Sequence, residues 1–130
     1  MGQTGGVMAG HILLIEDEPN IAEAIRFLLG RDGWQVTLLT TGQGASDEIA
    51  RLCPKLVILD LMLPVRSGLQ ILTDIRADPA TQDLPVLMLT AKGQERDREA
   101  ALAAGVSNFM TKPFDNSEMR AAVRTLMGGA

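Results

Sequence analysis

At 130 residues, 46% hydrophobic and 22% charged, the chain has the make-up of one folded domain rather than a disordered tract or a pair of domains. A net charge of −4, with no lysine- or arginine-rich block, argues against nucleic-acid binding by this domain, and no apolar run approaches the roughly 18 residues that span a bilayer. The single cysteine, Cys53, allows no internal disulfide, which fits a reducing compartment.

Residues 1–10 are glycine-rich and lack the basic and apolar regions of a signal peptide. They read as a disordered leader or an expression remnant, leaving residues 11–128 as the folded unit. His11–Ile15 is a first buried strand, followed at once by Glu16-Asp17-Glu18. Pro19 suits a first helical turn, and acidic residues before it suit the positive end of a helix dipole. Ile21, Ala24, Ile25, Leu28 and Leu29 form one apolar stripe over residues 20–29, with Gly30 and Gly33 closing the helix. Trp34–Leu39 is a short second strand. Thr40-Thr41-Gly42 open a helix to about Leu52, with Ala45, Ile49 and Leu52 inward and Cys53 as a small apolar residue at its end. Gly42-Gln43-Gly44 lacks a third glycine or a phosphate-binding lysine and reads as turn chemistry.

Leu56–Leu59 is a continuous aliphatic run that ends on Asp60 and turns at Pro64, the pattern of a strand buried on both faces of a parallel sheet. Ser67 is placed to cap a helix carrying Leu69, Ile71, Leu72 and Ile75, which Asp78-Pro79 breaks. Pro85–Leu89 is a fourth strand ending at Thr90-Ala91, and Glu95–Ala104 is a helix stopped by Gly105. Val106–Thr111 supplies a fifth strand ending at Lys112-Pro113-Phe114, and Asp115 or Ser117 opens a last helix with Met119, Ala122, Val123 and Leu126 on one face. Five alternations of strand and helix imply right-handed crossovers and a three-layer α/β/α sandwich around five parallel strands.

In such a sheet all strand ends face one edge, where open α/β folds bind ligands. Strand one brings Glu16, Asp17 and Glu18, strand three Asp60, strand four Thr90 and strand five Lys112. Clustered carboxylates repel unless a cation neutralises them, and hard oxygen donors suit Mg²⁺. A lysine and a hydroxyl beside them can hold phosphoryl oxygens. Three acidic residues on the first turn argue against a nucleotide phosphate there, since such turns use glycine amides.

The motifs Glu16-Asp17, Asp60 with Pro64 and Gly68 behind it, Thr90-Ala91, and Lys112-Pro113-Phe114 stand in order, each at its own strand end. Over residues 12–127 the chain resembles the receiver domain of two-component response regulators. That resemblance implies a flavodoxin-like sheet of order 2-1-3-4-5. It also implies a cytoplasmic phosphoacceptor, not an enzyme in its own right, that assists its own phosphorylation and dephosphorylation. Asp60 would accept phosphoryl from a phosphohistidine on a sensor kinase or phosphotransfer protein. Asp17, Asp60 and the main-chain carbonyl of Met62 would ligate Mg²⁺, with Glu16 helping through water. Lys112 would pair with the phosphoryl group or with Asp60 before uptake, Thr90 would bond a phosphoryl oxygen, and Phe109 would turn inward as Thr90 moves. The Lys112-Pro113 bond is expected cis by the same resemblance. The surface of the fourth helix, fifth strand and fifth helix would then switch, and it is the face a dimer would use. Met62 cannot orient an attacking water, and Lys92 stands where a cation would meet the phosphoryl group or Glu16, so a long-lived phosphorylated state is expected.

Two other readings compete. A Mg²⁺-dependent aspartyl-phosphate phosphatase of the haloacid dehalogenase type would carry a second Asp where Met62 stands. A degenerate receiver serving only for docking would lack some of the acidic, Thr and Lys positions, all of which are filled here. The sequence shows no output segment and names no cognate kinase.

Overall fold

The computed structural model describes residues 10–91 and 93–128. Residues 1–9 of the leader assigned to residues 1–10, and the reading of Lys92, lie outside the described residues. Five strands, β1 (His11–Ile15), β2 (Gln35–Leu39), β3 (Leu56–Asp60), β4 (Val86–Ala91) and β5 (Asn108–Lys112), form one parallel sheet of order β2-β1-β3-β4-β5. Five helices join or follow them: α1 (Pro19–Arg31), α2 (Ala45–Leu52), α3 (Gly68–Ala77), α4 (Glu95–Ala104) and α5 (Asn116–Leu126).

The period-2 geometry of the strands divides the core into two layers. Ile12, Leu14, Leu56, Ile58, Leu87 and Leu89 point to the side covered by α1 and α5. Leu13, Ile15, Val57, Leu59, Val86 and Met88 point to the side covered by α2, α3 and α4. Both faces are therefore dry, which explains why β1, β3 and β4 are aliphatic throughout rather than alternating. Edge strand β2 is only half-buried.

Helix caps follow the sequence where side chains decide them. Ser67 Oγ accepts from Gln70 N at 3.2 Å while Gln70 Oε1 accepts from Ser67 N at 3.0 Å, a reciprocal capping box. Asp115 and Glu118 repeat it at α5, so Asp115 and not Ser117 starts that helix.

Several boundaries differ from expectation. The first helix runs through Gly30 to Arg31, and Gly33, at φ 95°, makes the left-handed exit. Ala22 rather than Ala24 takes the buried place on its stripe, because a 3.6-residue period centred on Ile25 and Leu29 points residue 22 inward. The second helix begins at Ala45, not at Thr40–Gly42. Gly42 is held in a loop by its own amide, which donates to Pro64 O at 3.1 Å, and a Cβ there would collide with Arg66. Cys53 is exposed at the end of α2, at φ 48°. Gly10, assigned to the leader, is buried and its carbonyl accepts from Gln35 N at 3.2 Å, so Gly10 belongs to the folded unit.

Val65, in the loop behind Asp60, has φ 73° and a side chain 74% exposed. A β-branched residue there is strained and packs against little. Val65→Asn, which tolerates the left-handed region, is expected to raise stability by about 1 kcal/mol. A urea midpoint that stays put or falls would show that the loop does not carry this strain.

Candidate functional site

Because all strands run the same way, the carboxyl ends of β1, β3, β4 and β5 meet at one edge. Among the described residues the buried polar or charged side chains are Glu16, Asp60 and Thr90, and all three stand at that edge. Burying two carboxylates close together is costly, and such groups persist only with a partner. Lys112 supplies it. Its Nζ lies 2.9 Å from Asp60 Oδ2, 2.9 Å from Glu18 Oε1 and 3.0 Å from Glu16 Oε1. The contacts to Asp60 and Glu18 are aligned hydrogen bonds, whereas Glu16 Oε1 has only the ion-pair contact and no aligned donor among the described residues.

The backbone fixes the rest. Asp60 ends β3 with Oδ1 accepting from Met62 N at 3.1 Å, so both its oxygens are oriented. Glu16 Oε2 accepts from Glu18 N at 3.1 Å. Behind Asp60 the chain turns back so that Gly68 N donates to Leu61 O at 3.0 Å, seating α3 against the strand end. Thr90 is wholly buried and its Oγ1 has no hydrogen-bond partner among the described residues. Phe109, half-buried on β5, has the Arg98 guanidinium 5.0 Å from its ring centroid. The Lys112-Pro113 bond is cis, as expected.

Burial drives the Glu16 carboxyl up to about 7, and the nearby charge of Asp60 adds to it, against the opposing hydrogen bond from Glu18 N and the ammonium of Lys112. For Lys112 burial works downward, but the close carboxylates of Asp60, Glu18 and Glu16 outweigh it and hold the ammonium above its usual range. A carboxyl whose folded value lies above its unfolded one favours folding when protonated. That share of stability is present below about pH 4.5 and lost by about pH 7. In metal-free buffer, wild type is therefore expected to lose stability across this window relative to Glu16→Gln. Parallel urea midpoints for the two proteins from pH 4.5 to 7 would contradict the burial argument.

Carboxylate oxygens of Glu16, Asp17 and Asp60 lie within 4.8 Å of one another, with Asp17 exposed between its buried neighbours. Three hard anionic donors, one buried oxygen of them lacking an aligned donor, form a set able to hold a divalent cation. The structure thus brings Glu16, Asp17, Asp60 and Lys112 into one cluster, with Thr90 at the end of the adjacent strand and Phe109 farther back on β5. What the sequence did not reveal is the direct grip of Glu18 on Lys112, 94 residues away. The acidic run Glu16-Asp17-Glu18 was visible, but nothing in it told which carboxylate would reach across.

Comparison with known proteins agrees with this arrangement. Residues 12–124 match the family model described as the response regulator receiver domain. Over 120 residues the chain is 38% identical to the phosphate regulon transcriptional regulatory protein PhoB of Escherichia coli (strain K12), covering 92% of this chain and 52% of that one. It thus spans about half the length of that curated relative. The signal receiver domain of a signal transduction histidine kinase from Syntrophus aciditrophicus superposes with a TM-score of 0.86 at 30% identity, covering 94% of this chain and 92% of that one. The receiver domain of sensor histidine kinase PA1611 from Pseudomonas aeruginosa PAO1, with a magnesium ion coordinated in its active site cleft, gives 0.84 at 32% identity, covering 92% and 98%. The five-stranded 2-1-3-4-5 sheet, the acidic strand ends and a family match over nearly the whole described chain lead to one conclusion: this chain belongs to the response regulator receiver domain family.

Proposed function

We propose that Asp60 is the phosphoacceptor of a two-component relay and that residues 11–128 form the unit that carries it. The observation that carries this reading is the clamp on Asp60. One oxygen is fixed by Met62 N and the other by Lys112, so both oxygens of a buried carboxylate are held in place at the end of β3. In the reaction an Asp60 oxygen attacks phosphorus, the bond from phosphorus to the donor breaks, and the donor leaves with that electron pair. With a sensor kinase or phosphotransfer protein the leaving group is a histidine imidazole; with acetyl phosphate it is acetate.

Asp17, Asp60, the main-chain carbonyl of Met62 and, through water, Glu16 would hold Mg²⁺. Bound there, the ion would supply positive charge to the carboxylates and phosphoryl oxygens. Lys112 shifts its hydrogen bond from the Asp60 carboxylate to a phosphoryl oxygen, a charge-assisted contact. Thr90 has a buried hydroxyl to spend on another such oxygen. Phe109, freed from its place beside Arg98, follows Thr90, and α4, β5 and α5 repack as a unit. That face would serve a dimer or an output partner. A groove of about 460 Å³ beside Lys112, lined by Glu18, Ile21, Ala24, Pro113 and Phe114, gives a phosphohistidine-bearing partner access to the site. The side chain of Met62, 63% exposed, offers no hydrogen bond to a hydrolytic water, in keeping with a slowly decaying phosphate. Among the described residues no helix is long and apolar enough to cross a membrane. Membership of the receiver domain family supports placing the chain in the cytoplasm.

The test is incubation with acetyl phosphate and Mg²⁺ followed by intact-mass measurement and peptide mapping. One added phosphoryl group on the peptide carrying Asp60 is expected. No addition, or addition elsewhere, would refute the assignment. The docking-only alternative predicts no uptake, and the phosphatase alternative predicts turnover of added phosphomonoesters without a stable adduct.

A further inference from the structure

Glu18 is the strand-end carboxylate to which the mechanism gives no task. Its side chain is 58% exposed, yet Oε1 accepts from Lys112 Nζ at 2.9 Å, as close as the acceptor Asp60. The backbone behind it is tied down. Glu18 N donates to Glu16 Oε2 at 3.1 Å, and Glu18 O accepts from Ala22 N at 2.9 Å as the first bond of α1. The contact therefore springs from a fixed point rather than from a freely swinging surface chain.

An ammonium has three N–H donors. Three carboxylates crowd this one, from Asp60, Glu18 and Glu16. Phosphoryl uptake removes the demand of Asp60, whose oxygen becomes part of an acyl phosphate, and Glu16 belongs to the cation-holding group. Glu18 belongs to neither, so its hold on Lys112 persists and competes with the incoming phosphoryl oxygens.

We propose that Glu18 is a positioning residue that restrains phosphorylation by holding the Lys112 ammonium toward the mouth of the site. This inference rests on Asp60 being the phosphoacceptor. Exposed ion pairs span a narrow energy range, so releasing this one is expected to speed phosphoryl uptake by about two- to fivefold.

Two variants separate the contact from mere charge at the mouth, which would also repel a phosphate donor. Glu18→Gln removes both charge and ion pair. Glu18→Asp keeps the charge but is one methylene too short to keep the 2.9 Å contact. Uptake from acetyl phosphate in saturating Mg²⁺ is followed by intact mass, and the Lys112 ammonium signal is followed by ¹⁵N NMR in metal-free protein. Both variants are expected to take up phosphate faster than wild type and to shift the Lys112 signal. Glu18→Asp reacting at the wild-type rate would reduce the effect to net charge and overturn the proposal. So would unchanged rates, or an unmoved Lys112 signal, in both variants. Wild type that takes no phosphate would instead remove the assignment of Asp60 itself, and this inference with it.

Discussion

Asp60→Asn is expected to take up no phosphoryl group from acetyl phosphate at any Mg²⁺ concentration, while still folding cooperatively. The amide keeps the oxygen that accepts from Met62 N, so the end of β3 retains its local bond. What it loses is the charged oxygen held by Lys112, the only nucleophile the site orients among the described residues. The neighbouring carboxylates cannot take over. Glu16 is wholly buried with one oxygen held by the Glu18 amide, and Asp17 is exposed with no hydrogen-bond donor to aim it among the described residues. The loss should therefore be complete rather than graded, unlike removal of a stabilising donor, which typically slows a reaction by about 10²–10³. Intact mass over the time in which wild type saturates checks this. An adduct on Asp60→Asn forming at the wild-type rate would mean that the clamp at Asp60 is structural and the chemistry lies elsewhere.

The places where the sequence revealed this architecture are those where local physics and tertiary packing agree. The stretch from Leu56 to Asp60 became β3 with those limits because an unbroken aliphatic run has no face to show to water. Glu95–Ala104 became α4 because Gly105, at φ 96°, ends it by the left-handed exit that glycine takes freely. Asp60, Thr90 and Lys112 could be assigned to one edge because parallel strands leave no other arrangement of their ends. The misplaced start of α2 shows where local reasoning stops. Residues 40–42 have cap-like chemistry, but Gly42 is held by Pro64 and crowded by Arg66, more than twenty residues away. Val65 in the left-handed region runs against its own preference, a strain that no propensity predicts and that the same loop imposes. The grip of Glu18 on Lys112 was illegible for a related reason. Adjacent carboxylates on a turn look alike in sequence, and only the exit angle of β1 into α1 decides which one faces the ammonium.

That loop behind Asp60 makes Gly68→Ala the more damaging of two glycine substitutions. Gly68 is buried at the first turn of α3, and a Cβ there would overlap Asp60 O, 2.6 Å from Leu59 Cδ1 and 2.9 Å from Leu61 Cα. Two of the three obstacles are backbone, and that backbone carries the acceptor. Relief must come either from α3 moving away, which strains the bond from Gly68 N to Leu61 O, or from the strand end moving, which displaces Asp60 from Lys112. Overpacking of this kind costs about 1–3 kcal/mol, and the two backbone obstacles, which cannot swing aside as the Leu59 side chain can, put it at the upper end. Gly44→Ala is the comparison. Gly44 needs its left-handed φ of 75° but has open space around it, so alanine there should cost about 1 kcal/mol from backbone strain alone. Urea unfolding should rank Gly68→Ala well below Gly44→Ala. Phosphoryl uptake, measured where both are fully folded, should fall only in Gly68→Ala, because only that collision reaches the carbonyl of Asp60. Equal losses of stability with uptake intact in both would mean that the turn absorbs the methyl group, and that the close approach of α3 does not set the position of the acceptor.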